Sequence, residues 1–242
     1  PLLSQADIDL GRLAERLAAA PERGWSLLLS GPSGTGKSAF ARHLAARLGS
    51  EVEYRRCSDL MSPYVGETEQ NIAEAFSIAA ERESLLLIDE ADSFLYRREA
   101  GRRSWEVSQV NEMLVQMEHL RTPFVATTNL ADKLDPASQR RFTLRVAFQP
   151  MTAQQARRLF RAQFGQDWPM NWPVHESHTP GDFAVVAQRA RLLGEVEPLI
   201  LLRWLREEIE ARGDCARGTM GFHIPVAAPC IGSLKLEEQE AA

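Results

Sequence analysis

At 242 residues the chain is long enough for one large α/β domain and a small helical one. With 44% apolar and 25% charged residues it can build a real core, which excludes a wholly disordered chain. A net charge of −5 argues against a dominant nucleic-acid surface, and no apolar run approaches the length of a membrane span.

The sequence opens on Pro1, not Met, and reads as either a fragment or a trimmed chain. Cys57, Cys215 and Cys230 are too far apart for a metal-ligand motif and fit free thiols in a reducing compartment. No signal-peptide pattern is present, so a cytoplasmic location is expected.

The first element is a predicted helix over 4–20, capped by Ser4 or Asp7, with Leu10, Leu13 and Leu17 on its apolar face. Pro21 to Gly24 break it. Trp25 to Ser30 is an apolar run of buried-strand type, and Ala39 to Leu48 is an amphipathic helix that Gly49 ends. Between them lies Gly31-Pro32-Ser33-Gly34-Thr35-Gly36-Lys37-Ser38, which fits G-x-x-x-x-G-K-[ST] at every fixed position. Strand, glycine loop and helix turn backbone N–H groups and a helix N-terminus toward phosphate oxygens. Lys37 is placed to reach β- and γ-phosphates and Ser38 to ligate Mg²⁺, so ATP and Mg²⁺ are the expected ligands of Gly31–Ala39.

Further strands are expected at 52–57, 84–88, 124–128 and 144–148, with helices at 67–81 and 105–119 and a loop over 58–66. Alternation at this spacing argues for a parallel sheet covered on both faces. Leu85 to Glu90 is an apolar strand ending in two acids at the sheet edge where the glycine loop opens. Asp89 would hold the metal and Glu90 would polarise the attacking water. Asn129, at the polar end of Val125-Ala126-Thr127-Thr128, is either a turn residue or a hydrogen-bonding partner of the γ-phosphate.

After Pro150 only helical patterns follow, at 152–164, 183–193 and 198–212. A boundary is expected near 150: a nucleotide-binding domain over 1–150, a helical lid over 151–213, and a tail over 214–242 that either lacks fixed structure or is partly foreign to the natural protein. The loop 166–179 is longer than such a lid needs. Its His175 and His178 lack a third metal ligand.

Leu134-Asp135-Pro136-Ala137-Ser138-Gln139-Arg140-Arg141-Phe142 follows the three strand-end signatures. In this order they resemble the AAA+ ATPases, in the branch with katanin, spastin, the Vps4-like enzymes and the proteasomal ATPases, over about residues 24–213. The resemblance implies a P-loop NTPase fold of class α/β, a parallel sheet with helices on both faces and a small all-α lid. It also implies an ATP-hydrolysing homo-oligomer, usually a hexameric ring, acting on a polypeptide substrate or adaptor. By resemblance, Asn129 falls at the first sensor position, and Arg140 and Arg141 are paired arginine fingers reaching the neighbour's γ-phosphate. Tyr64, Val65 and Gly66 match a substrate-gripping pore loop, with Pro63 where a basic residue is common. Arg97 to Arg103 is a solvated loop or a second pore loop. Gly181 and Asp182 match the lid turn that packs near adenine and ribose, although Asp182 is equally well a helix cap. No lid arginine stands out as a second phosphate sensor.

The leading reading is a motor that remodels, unfolds or disassembles proteins through a central pore. A nucleotide-dependent switch or scaffold that recruits a partner without threading is the alternative, and a DNA-acting relative fits the charge poorly.

Overall fold

The computed structural model describes residues 4–95, 104–130 and 136–213. Arg97–Arg103, Leu134, Asp135, Cys215, Cys230 and the tail lie outside the described residues.

Among the described residues six strands form one sheet: β1 (Gln5–Ala6), β2 (Ser26–Ser30), β3 (Val52–Arg56), β4 (Leu85–Asp89), β5 (Phe124–Thr128) and β6 (Leu144–Gln149), in the order β1-β6-β2-β5-β4-β3. All neighbours are parallel except β1, which runs antiparallel along β6. The helices before and between them are α1 (Leu10–Ala19), α2 (Lys37–Leu48), α3 (Cys57–Leu60), α4 (Glu67–Glu81), α5 (Asp92–Leu95), α6 (Ser104–Glu118) and α7 (Pro136–Gln139).

The central strands read as continuous apolar runs because both faces of the sheet are covered. Leu28, Leu86, Ile88, Phe124 and Ala126 face α4 and α6, where Ile72, Phe76, Met113 and Met117 meet them. The alternate residues Leu27, Leu29, Leu85, Leu87, Val125 and Val146 face α1 and α2, against Leu10, Leu17, Phe40 and Leu44. Phe76 lies 5.0 Å from Phe124, ring centre to ring centre, and ties α4 to the sheet.

The N-terminal segment differs from the expected helix over 4–20. Gln5 and Ala6 pair with Gln149 and Phe148, and the helix starts at Leu10. Asp9, not Ser4 or Asp7, caps it by accepting from the Arg12 backbone N–H at 3.0 Å. Asp7 is committed elsewhere, accepting the Ala147 N–H beside the sheet edge. Within the expected loop 58–66, Cys57–Leu60 closes a short helical turn after β3.

The two sheet edges are unlike. The β6 edge is covered by the two residues of β1. The β3 edge carries Glu53, Arg55 and Arg56, with Glu53 held between Arg55 at 2.7 Å and Arg82 at 3.2 Å.

The C-terminal region is all α: α8 (Ala153–Phe164), α9 (Pro180–Leu193) and α10 (Pro198–Ala211). Its own core joins Phe160, Trp168, Phe183, Val186, Leu201, Trp204 and Leu205. Thr152 and Gln155 form a reciprocal cap at the start of α8, and Gly165 and Gly194 end α8 and α9 with positive φ. The long loop 166–179 is part of this core. Trp168 is buried, and its indole N–H donates to the Trp172 carbonyl at 2.9 Å. No helix among the described residues is long and apolar enough to cross a membrane.

Candidate functional site

The parallel register brings the C-terminal ends of β2, β4 and β5 together. Ser30 pairs with Thr128, and Ile88 with Ala126, so Asp89 and Asn129 emerge beside the glycine loop. The loop needs its glycines. Gly31 and Gly36 have φ of +133° and +98°, which side chains with a Cβ rarely adopt. The Thr35 hydroxyl turns inward and donates to the Pro32 carbonyl at 2.8 Å.

Lys37 opens α2 and is almost fully buried. Its ammonium donates to Gly31 O at 2.7 Å, Pro32 O at 2.8 Å and Asn129 Oδ1 at 2.8 Å. Three N–H donors thus meet three acceptors. Burial lowers its pKa from 10.5 to about 8, partly offset by Asp89, Asp92 and Glu90. Next to it the Ser38 hydroxyl donates to Asp89 Oδ1 at 2.8 Å. Asp89 Oδ1 also accepts from Thr127 Oγ1 at 2.5 Å, and Asp89 Oδ2 from the Tyr54 hydroxyl at 3.2 Å.

Glu90 follows with φ of +57°, in the left-handed region that non-glycine residues seldom occupy. Its backbone N–H is held by Thr127 Oγ1 at 3.0 Å, and the Ala91 N–H by the Thr127 carbonyl at 2.8 Å. The polypeptide therefore turns sharply at Glu90, whose exposed side chain lines the cavity. Such strain persists where surrounding bonds hold it, as Thr127 does here.

The helical region forms the other wall. Gly34 O accepts from the Gly181 N–H at 2.9 Å. A Cβ on Gly181 would sit 2.8 Å from Gly34 Cα, and one on Gly34 would sit 2.6 Å from Thr179 Oγ1. Backbone thus lies on backbone where loop and lid meet. Between them is a cavity of about 410 Å³, lined by Ser33, Gly34, Gly36, Lys37, Ser38, Ala39, Asp89, Glu90, Thr127, Asn129, Pro180, Gly181 and Ala184.

Asp182 does not line that cavity. It is nearly buried, three residues into the capping turn of α9, where its Oδ2 accepts the Thr179 N–H at 2.8 Å. Of the two readings of Asp182, the cap is the one its geometry supports. Burial raises the Asp182 pKa, against the lowering effect of the Thr179 hydrogen bond and of Arg212. Arg212, just past α10, reaches Asp182 Oδ1 at 3.1 Å, Thr179 Oγ1 at 2.8 Å and the Ser177 carbonyl at 2.6 Å. Buried His178 stands edge-on to Trp168 and Phe183, 4.0 Å from Asp182. Burial, with help from His175 and Arg212, lowers its pKa from 6.5 to about 4. Among the described residues, no three His, Cys, Asp or Glu side chains are grouped to hold a metal ion.

The remaining sequence candidates lie elsewhere. Arg140 is exposed after α7, and Arg141 pairs with Glu118 at the end of α6. Tyr64 and Val65 are 69% and 92% exposed on the loop before α4, and Gly66 opens that helix with φ of +87°. They line a separate hollow with Met61, Ser62, Pro63, Glu69 and Gln109.

Three participants escaped the sequence reading. Thr127 had a visible signal, a hydroxyl within an apolar strand. Tyr54 shares a strand face with Val52, two residues away, but only the β3–β4 pairing puts it near Asp89. Arg212 had no local signal, because its partners Ser177 and Thr179 are more than thirty residues away in sequence.

The donor set suits a nucleoside triphosphate with a divalent cation. The α2 N-terminus and Lys37 could hold phosphate oxygens, and Ser38 and Asp89 could hold the cation. The glycine loop, the acid-ended strand and the parallel sheet define a P-loop nucleotide-binding fold, with a small all-α lid. Residues 27–150 match the family described as "ATPase family associated with various cellular activities (AAA)", and the chain belongs to it. It is 33% identical over 144 residues to fidgetin-like protein 1 of Drosophila melanogaster, covering 57% of this chain and 27% of that one. It is 33% identical over 175 residues to protein SUPPRESSOR OF K(+) TRANSPORT GROWTH DEFECT 1 of Arabidopsis thaliana, covering 69% and 39%. It is 37% identical over 134 residues to spastin of Xenopus laevis, covering 52% and 22%. The chain thus spans less than half the length of these relatives.

Proposed function

We propose that the chain is the ATP-hydrolysing module of a ring-forming motor, that each site is completed by a neighbouring copy, and that the ring remodels protein substrates. The observation that carries this reading is the juxtaposition of Lys37, Ser38, Asp89, Asn129 and Glu90 around one cavity under the lid.

Each side chain then has a task. On nucleotide entry Lys37 exchanges the Gly31 and Pro32 carbonyls for phosphate oxygens, and Asn129 keeps its ammonium in place. Ser38 and Asp89 would hold Mg²⁺, which would supply positive charge beside the phosphates. Glu90 takes the proton of the attacking water, and its fixed backbone aims the carboxylate. Arg140 and Arg141 of an adjacent copy offer permanent positive charge to the transferring group. Tyr64 and Val65, exposed on their loop, fit a grip on an extended polypeptide, and a hexamer is the assembly the family resemblance suggests.

Glu90→Gln tests the catalytic assignment. The variant should bind ATP like the parent but hydrolyse it about a hundredfold more slowly or worse. Turnover at the parent rate would remove Glu90 from the mechanism.

A further inference from the structure

We infer that Tyr54 is a positioning residue for Asp89: its hydroxyl fixes the carboxylate that would hold the divalent cation and stands between that carboxylate and Arg56. The inference rests on the proposed ATP- and Mg²⁺-binding role of the site.

The argument begins with the two oxygens of Asp89. Oδ1 accepts from Ser38 and Thr127, and Oδ2 accepts from the Tyr54 hydroxyl at 3.2 Å. With Tyr54 in place the carboxylate is held through both oxygens, so rotation about Cβ–Cγ breaks a hydrogen bond. Without it both contacts converge on Oδ1, and the group can pivot about that atom.

Tyr54 is itself held. The Arg56 Nε–H donates to its hydroxyl oxygen at 3.3 Å, and the Arg42 guanidinium lies 5.3 Å from its ring centre. Because the oxygen accepts from Arg56, its proton is left for Asp89. The relay runs one way, and the cationic donor strengthens the second bond.

The register explains why a spacer is needed. Arg56 pairs with Asp89 across β3 and β4. A guanidinium in direct contact with Asp89 would compete with a metal cation for the carboxylate. The phenol occupies that position instead and transmits orientation without neutralising the charge. Packing alone does not require the hydroxyl. The ring is partly buried against the cluster under α1 and α2, and Phe would fill the same space.

The test compares the full chain with Tyr54→Phe. Binding of a fluorescent N-methylanthraniloyl ATP is titrated with MgCl₂ and repeated in EDTA, and thermal stability is recorded alongside. In EDTA the variant should bind within about twofold of the parent, while its Mg²⁺ midpoint rises about tenfold, the low end for loss of an outer-shell partner. Arg56→Gln, which leaves the ring in place, should shift the midpoint the same way by a smaller factor.

A midpoint equal to that of the parent, or equal weakening with and without metal, overturns the inference and leaves the ATP reading intact. A parent whose binding of the analogue ignores Mg²⁺ overturns the cation-binding role of the site, and the inference with it.

Discussion

His178 gives the sharpest pH prediction. It is buried between Trp168 and Phe183, with Asp182, His175 and Arg212 as its titratable or charged neighbours. Its pKa falls from 6.5 to about 4 on folding. The unfolded chain therefore takes up the proton first. The stabilisation is full above pH 6.5, declines as pH falls through that value and levels off below about 4. Between pH 7 and pH 5 the linkage costs about 2 kcal/mol. The assay is urea unfolding at both pH values, for the parent and for His178→Phe, which keeps a ring but cannot titrate. Other groups, including Asp182 with its raised pKa, titrate in both proteins and largely cancel in the difference. The parent should lose about 2 kcal/mol more than the variant on acidification. Parallel losses would refute a neutral, desolvated His178.

Two further outcomes follow from the geometry. Gly181→Ala should lift the lid turn off Gly34, because its Cβ meets backbone that cannot yield. Nucleotide affinity measured by calorimetry should fall, with about 1–3 kcal/mol of stability lost to overpacking, and parent-like values for both would refute the contact. If copies complete each other's sites, specific ATPase activity of the parent should rise with protein concentration, and Arg140→Ala should preserve nucleotide binding but abolish that rise. A variant that keeps the rise would show that Arg140 does not complete a neighbour's site.

Much of the site was legible because it is written in contiguous residues. The glycine loop, the acid-ended strand and the apolar strands that aim them each carry a local pattern, and the sheet follows from their alternation. The lid was legible as helices, but its grip on the loop was not. Gly34 and Gly181 meet through backbone atoms, and Arg212 bridges Ser177, Thr179 and Asp182 only after α9 and α10 have packed. The N-terminal misreading has the same origin. Helical periodicity through Leu10, Leu13 and Leu17 extends backward over residues that the β6 edge captures as strand. Tyr54 depends on strand register, which a single segment cannot specify.

The unlike edges of the sheet bear on how copies can coexist at high local concentration. An open strand edge invites another chain to continue the hydrogen-bond ladder, the route to fibrillar aggregates. Here β1 runs against the direction of the sheet and, among the described residues, is two residues long, a short template for further growth. On the far side the charges of Glu53, Arg55 and Arg56 make an incoming strand lose solvation. Protein held in close quarters is thus steered away from sheet extension, and association is left to side chains, helices and loops.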